Sequence, residues 1–258
     1  VWPICISFLL LSLILIKPLL RSFKTVFIHK NYYFFIGCLF AALGISLYSE
    51  SLLRGEITKV VVLFYLCPIW GTIFARIILH QPFTIKRICS IILGLIGLEI
   101  IIGVEEGIFI PSAIVEWIAL LAGLTWAMST TIFHLAGTTH GAEKTSLTSF
   151  LIPFLFLLLC FIPDGRNIGL ANNLLSIHQI YIWMILFAVM WLLPSILLTY
   201  FSVEVLDPGR INILLAFEVV VGFLSAGLLT NEIISYREYI FHVLSQPRRH
   251  FNIRWKRA

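Results

Sequence analysis

Apolar residues in this chain come in long unbroken runs separated by short polar breaks. They follow neither the one-sided stripe of a soluble helix nor the period-two alternation of a half-buried strand. A run of about 18 or more apolar residues can cross a bilayer as a helix. Spans are therefore expected at residues 1–20, 32–53, 58–80, 86–104, 114–135, 146–163, 179–203 and 210–231. The missing alternation excludes the strands of an outer-membrane barrel. The breaks suit this reading: Lys17 to Lys30 is basic, His80-Gln81-Pro82 ends one span, Glu105-Glu106-Gly107 is acidic, and Asp207-Pro208-Gly209 is a turn by residue type.

Composition agrees. The chain is 60% hydrophobic and 12% charged, with a mean hydropathy of +1.00. A soluble domain carries about 25% charged residues, so too little polar surface exists here to cover a water-soluble globule. The net charge of +5 is no nucleic-acid footprint, because most basic residues sit at span ends, where they set topology. No nucleic-acid partner is expected. The cysteines Cys5, Cys38, Cys67, Cys89 and Cys160 lie in apolar runs without a C-x-x-C pair and read as small buried hydrophobes. His134 and His140 are too sparse to suggest a metal, and no cofactor is expected.

Alternate loops fall into two sets. One carries Lys17, Arg21, Lys24, Lys30, Lys86, Arg87, Lys144 and Arg210; the other carries Arg54, Lys59, Arg166 and Arg237. The richer set is expected on the cytoplasmic side.

A repeat organises the chain. The stretch LCPIWGTIFARIILHQ, from Leu66 to Gln81, aligns with FEVVVGFLSAGLLTNE, from Phe217 to Glu232. Gly71 then falls on Gly222, Ala75 on Ala226, Lys86 on Arg237 and Lys59 on Arg210, and Tyr48 meets Tyr200 with one inserted residue. Four other spans lie between the copies, so the unit is five spans, and an odd unit inverts the second copy in the membrane. Inverted repeats are a signature of transporters, with the substrate site at the repeat interface near the midplane.

The residues Leu63 to Trp70, Arg76 to Leu79 and the short loop to Lys86-Arg87 resemble an EamA-type member of the drug/metabolite transporter superfamily. So do Phe217-Glu218, Gly222 and the Leu228 to Glu232 stop, and Gly123 to Ala127 looks like the helix that opens a repeat. The resemblance implies an all-α polytopic bundle: a ten-helix carrier of two inverted five-helix repeats. The first repeat is expected over 1–112, lacking its first helix. The second is expected over 113–258, with its last helix disrupted after about residue 240, where the text turns to QPRRHFNIRWKR.

Candidate site residues follow from cost and position. Glu218 lies in mid-span, where a charge costs roughly 2.5–3.5 kcal/mol; it is read either as a carrier of a substrate amine or coupling proton, or as a structural carboxylate bonded to a neighbouring helix. Arg76 is read as a headgroup-snorkelling side chain or a cytoplasmic gate, and Glu50 as a residue bordering the outer vestibule. Glu99 is a weaker candidate for pairing with a basic residue. Pro68 interrupts a helix and releases a backbone carbonyl, either to line a cavity or as a packing kink. Tyr65, Trp70, Trp126 and Tyr200 are candidate aromatic walls, against the reading that they are packing or interfacial anchors. Gly37/Ala41 and Gly222/Ala226 mark close helix contacts.

The function expected is a secondary transporter, an exporter or permease, moving small metabolites such as amino acids or drug-like compounds across a bacterial inner membrane. Its partners would be the substrate, a coupling proton or ion, lipid, and a second copy in a homodimer. No nucleotide-binding loop G-x-x-x-x-G-K-[ST] is present, so a gradient would supply the energy. Two rivals stand beside it. One is an inactive truncated or frame-shifted remnant of such a carrier. The other is an intramembrane enzyme, disfavoured because no H-E-x-x-H or G-x-S-x-G motif occurs and no catalytic residue can be named.

Overall fold

The computed structural model describes residues 2–55, 57–82, 113–137, 140–159 and 185–206, with isolated positions elsewhere. All regular structure among them is helical: α1 Trp2–Ile14, α2 Ile16–Phe27, α3 Tyr32–Arg54, α4 Ile57–Phe64, α5 Cys67–Ile78, α6 Ile114–Leu135, α7 Gly141–Leu159, a π-helical turn Ala188–Leu192, and α8 Leu193–Val205. Four helical stretches are long and apolar enough to cross a membrane, at 32–54, 59–78, 114–135 and 185–205, or five if the bent α1–α2 pair is one span. The protein is an all-α, multi-pass membrane protein. The expected spans 86–104 and 210–231, the second copy of the repeat and the acidic Glu105-Glu106 loop lie outside the continuously described segments.

Three prolines punctuate the helices. The expected span 1–20 is not one helix: α1 ends at Ile14, and α2 leaves it at 85°. Pro18 causes the break, since it has no N–H for the Ile14 carbonyl and its ring crowds that carbonyl. Pro68 acts alike: α4 ends at Phe64, Tyr65 and Leu66 form a turn, and Pro68 sits in the first turn of α5. Pro194 stands near the start of α8, and the strain is absorbed upstream in the π turn, where the Leu193 N–H reaches back five residues to the Ala188 carbonyl.

α7 starts at Gly141, five residues before the expected span. Lys144, read from the sequence as a loop charge, is therefore helical, and it is 1% exposed. Among the cysteines, Cys5, Cys38 and Cys67 are buried, but Cys89 is exposed, which corrects the reading of all five as buried.

α3 and α6 form the centre. Gly37 brings α3 against the Phe133 ring, where a Cβ would lie 2.7 Å from a ring carbon. Asn31 joins the two helices at one end: its side chain accepts from the Phe34 N–H as the N-cap of α3, and its Nδ2 donates to the Ala136 carbonyl at 2.8 Å. At the same end His134 Nε2 is 2.9 Å from the Leu206 carbonyl, and Ser22 Oγ donates to the Glu143 carbonyl. This end carries Lys17 to Lys30 and is called the basic end below. At the other end Gly55 abuts Val115.

Candidate functional site

A cavity of about 340 Å³ opens between α1, α3, α4, α6 and α8. Its walls are aromatic: Phe8, Tyr48, Phe64 and Trp126 stand on α1, α3, α4 and α6, and Tyr65 on the turn after α4. The fifth wall comes from residues 187–199. Phe187, Trp191, Ser195 and Thr199 line the cavity at intervals of four, one ridge of a helical face, with Leu192 and Ile196 on the next. Ser195 and Thr199 add hydroxyl groups to this wall, that of Thr199 donating to the Ser195 carbonyl at 2.9 Å.

The Pro68 break builds the α4 wall. It ends the helix where Phe64 and Tyr65 turn toward the cavity, with rings 5.3 Å apart edge to face, and Phe64 lies 4.1 Å from the Tyr48 ring. Pro68 has no N–H for the Phe64 carbonyl, its i−4 acceptor. That carbonyl packs on α6 at Gly123, where a Cβ would lie 2.5 Å from the Phe64 oxygen. Pro68 thus shapes the cavity through packing, while the carbonyl it releases faces α6.

Trp126 forms the floor. It is 7% exposed, and its Nε1–H is buried without a hydrogen-bond partner among the described residues. A buried unpaired donor beside a cavity is costly and can be satisfied by an acceptor on a bound molecule. Tyr200 lies under it, with ring centroids 6.3 Å apart. Tyr200 is fully buried, donates to Thr148 Oγ1 at 3.2 Å, and meets the Phe133 ring edge to face at 5.6 Å.

The structure thus brings Tyr65 and Trp126 to the cavity, with Tyr200 directly beneath. The other candidates lie elsewhere. Trp70 packs on the main apolar cluster, and its Nε1 is also buried and unpaired. Glu50 is buried on α3, ion-paired through Oε1 with Arg54, while its Oε2 makes no hydrogen bond among the described residues. Arg76 is exposed in the last turn of α5. Neither Glu50 nor Arg76 lines the cavity. Glu218 and Glu99 lie outside the described residues.

Sequence reasoning missed two features. The ridge of residues 187, 191, 195 and 199 was visible only as spacing by four, and in a helix apolar all round such spacing has no contrast. The other is the pairing of Lys144 with Glu204, Nζ to Oε1 at 3.7 Å. Their separation in the chain gives no local signal.

Among the described residues no group of three or more His, Cys, Asp or Glu side chains could hold a metal. Residues 1–103 match the family model of the EamA-like transporter family, part of the drug/metabolite transporter superfamily. No curated protein matches the chain.

Proposed function

We propose that this chain, whose residues 1–103 match the model of the EamA-like transporter family, is a secondary transporter of small amphipathic metabolites, such as amino acids or drug-like compounds, across a bacterial inner membrane. The observation that carries this reading is the cavity between α1, α3, α4, α6 and α8, with its aromatic walls, its two hydroxyls on α8 and the unpaired Trp126 donor at its floor. Such a site suits a molecule with one apolar face and at least one hydrogen-bond acceptor. The two-repeat division at residue 112 belongs to this proposal, as does coupling through Glu218.

The basic end faces the cytoplasm in this reading, because Lys17, Arg21, Lys24 and Lys30 flank it. A cysteine placed at exposed Lys30 should react with an impermeant thiol reagent from the cytoplasmic side only, and one at exposed Ala113 from the opposite side only. The reverse pattern inverts the orientation.

Transport itself is tested in liposomes holding the intact chain, offered labelled amino acids and small amphipathic amines under an imposed proton gradient. Gradient-dependent uptake of at least one is expected. Ser195→Trp fills the cavity from α8 and should lower that uptake about tenfold or more, since overpacking a site excludes its ligand. Trp117→Ala, at an outer position 55% exposed, should leave it unchanged. No gradient-dependent uptake of any compound, or full uptake by Ser195→Trp, would count against this cavity as a transport site.

A further inference from the structure

The seam between α7 and α8 is a ladder whose partners step four residues forward on α7 and four back on α8. Lys144 meets Glu204 across 3.7 Å, and Thr148 accepts from Tyr200 at 3.2 Å. Ile152 and Ile196 then pack in one apolar cluster. Below the first rung the two backbones nearly touch, since a Cβ on Gly141 would lie 3.0 Å from the Phe201 nitrogen. The seam therefore runs from ionic at the basic end, through polar, to apolar at the cavity, where Ile196 and Thr199 form the wall.

The ionic rung is placed asymmetrically. Lys144 is covered by the Phe133 ring, whose centroid is 5.4 Å from Nζ, and its side chain is 2% exposed, whereas that of Glu204 is 28% exposed. A buried pair adds little stability over well-packed apolar residues, yet breaking it by removing one partner is strongly unfavourable. At the edge of the bundle, parting the helices would bring both charges to water, which solvates them favourably. An apolar rung there would gain no such solvation.

We propose that the Lys144–Glu204 pair is the gate at the basic end of the cavity, closed in this structure, with Tyr200 and Phe133 as the plug behind it. The proposal rests on the transport reading and adds to it the residues that must separate when the cavity opens to the basic end. Parting α8 from α7 at Glu204 lifts Tyr200, one turn away on the same face, from Thr148. That movement opens the floor under Trp126 and turns the wall ridge of α8 toward the basic end.

The test reads access, and so needs no identified substrate. In the intact chain with all five cysteines replaced, a single cysteine at Thr199 reports on the cavity to an impermeant maleimide applied from either side of oriented vesicles. With the native pair, labelling from the basic end should be slow. Glu204→Gln and Lys144→Met should each speed it about tenfold or more, because each leaves one charge uncompensated and shifts the balance toward the open form. The exchange variant Lys144→Glu/Glu204→Lys should return it toward the native rate. Lys144→Met/Glu204→Met, which removes both charges and guards against misfolding of the single variants, should label from the basic end no faster than the native pair. If Glu204→Gln and the exchange variant both label at the native rate, the pair is a static rung and the proposal fails. If the cysteine is labelled from neither side in any variant, the cavity does not open, and the transport reading falls together with the gate.

Discussion

Glu218→Gln is expected to abolish gradient-driven uptake while expression stays near normal. Glu218 follows Phe217 within the apolar stretch 210–231, well away from either end. A carboxylate at that depth costs roughly 2.5–3.5 kcal/mol even on the lenient insertion scale, so such residues face a bundle interior or a wet cavity and mark ion or substrate paths. The amide keeps the size and shape of the side chain but can neither carry a charge nor exchange a proton. The measurement is initial uptake per unit of protein, beside the elution profile of the solubilised protein. Uptake at the unmodified rate would make Glu218 a structural residue and leave the coupling site elsewhere. Lost uptake with an aggregated elution profile would report misfolding, and Glu218→Asp, which retains the charge, would then decide: recovery of the fold without uptake points to position, and recovery of both points to charge.

The second large effect concerns the fold. Gly123→Val is expected to remove most of the well-folded protein, and Gly123→Ala to lower stability by about 1–3 kcal/mol, the usual cost of overpacking. A Cβ at Gly123 would lie 2.5 Å from the Phe64 carbonyl oxygen and 3.3 Å from its carbon. Both are backbone atoms, so relief requires moving the end of α4 against α6 and not merely turning a side chain. Unfolding temperature in detergent and the monodisperse fraction after extraction measure the effect. Pro68→Ala supplies the N–H that the Phe64 carbonyl lacks as a helical donor. Drawn back into an α-helical bond, that carbonyl should relieve part of the clash, so Pro68→Ala should recover some of the stability lost in Gly123→Ala. Strict additivity of the two substitutions would show that the carbonyl does not couple them.

What the sequence disclosed, and what it withheld, follows from the range of each signal. A membrane-crossing run is a local property, and the spans 32–53, 58–80 and 114–135 lie within a few residues of helices or helix pairs in the structure. Pro18 was equally local, yet the apolar text continues past it, and hydrophobicity alone merges two helices that meet at 85°. Tyr65 and Trp126 were named from the sequence as candidate aromatic walls, and both line the cavity. Ser195 and Thr199 could not be named, because in a helix apolar on every side nothing marks which face meets a cavity and which meets lipid. Lys144 misled for a different reason. A lysine near a loop normally reports topology, and only the fold shows that Gly141 lets α7 begin early and carry that lysine under Phe133. Glu50 and Arg76 were named because they are charged residues inside spans; the structure gives Glu50 an intrahelical partner in Arg54 and leaves Arg76 exposed at the outside of α5.

The early start of α7 also bears on how the chain is made. Its first nine residues, Gly141 to Ser149, include Glu143, Lys144, Thr145, Ser146, Thr148 and Ser149, and all six of these polar side chains are buried in the finished bundle. A segment of that polarity gains little by leaving a translocon sideways into lipid on its own hydrophobicity. Its partners all lie on other helices or in its own turns: Ser22 and Thr25 on α2 reach Glu143, and Phe133 on α6 and Glu204 on α8 cover Lys144. α2, α3 and α6 precede it in synthesis, so the side chains that receive its first turns are made before it. α8 arrives afterwards and supplies the counter-charge, so between the synthesis of α7 and that of α8 the nascent chain holds a lysine still waiting for its carboxylate.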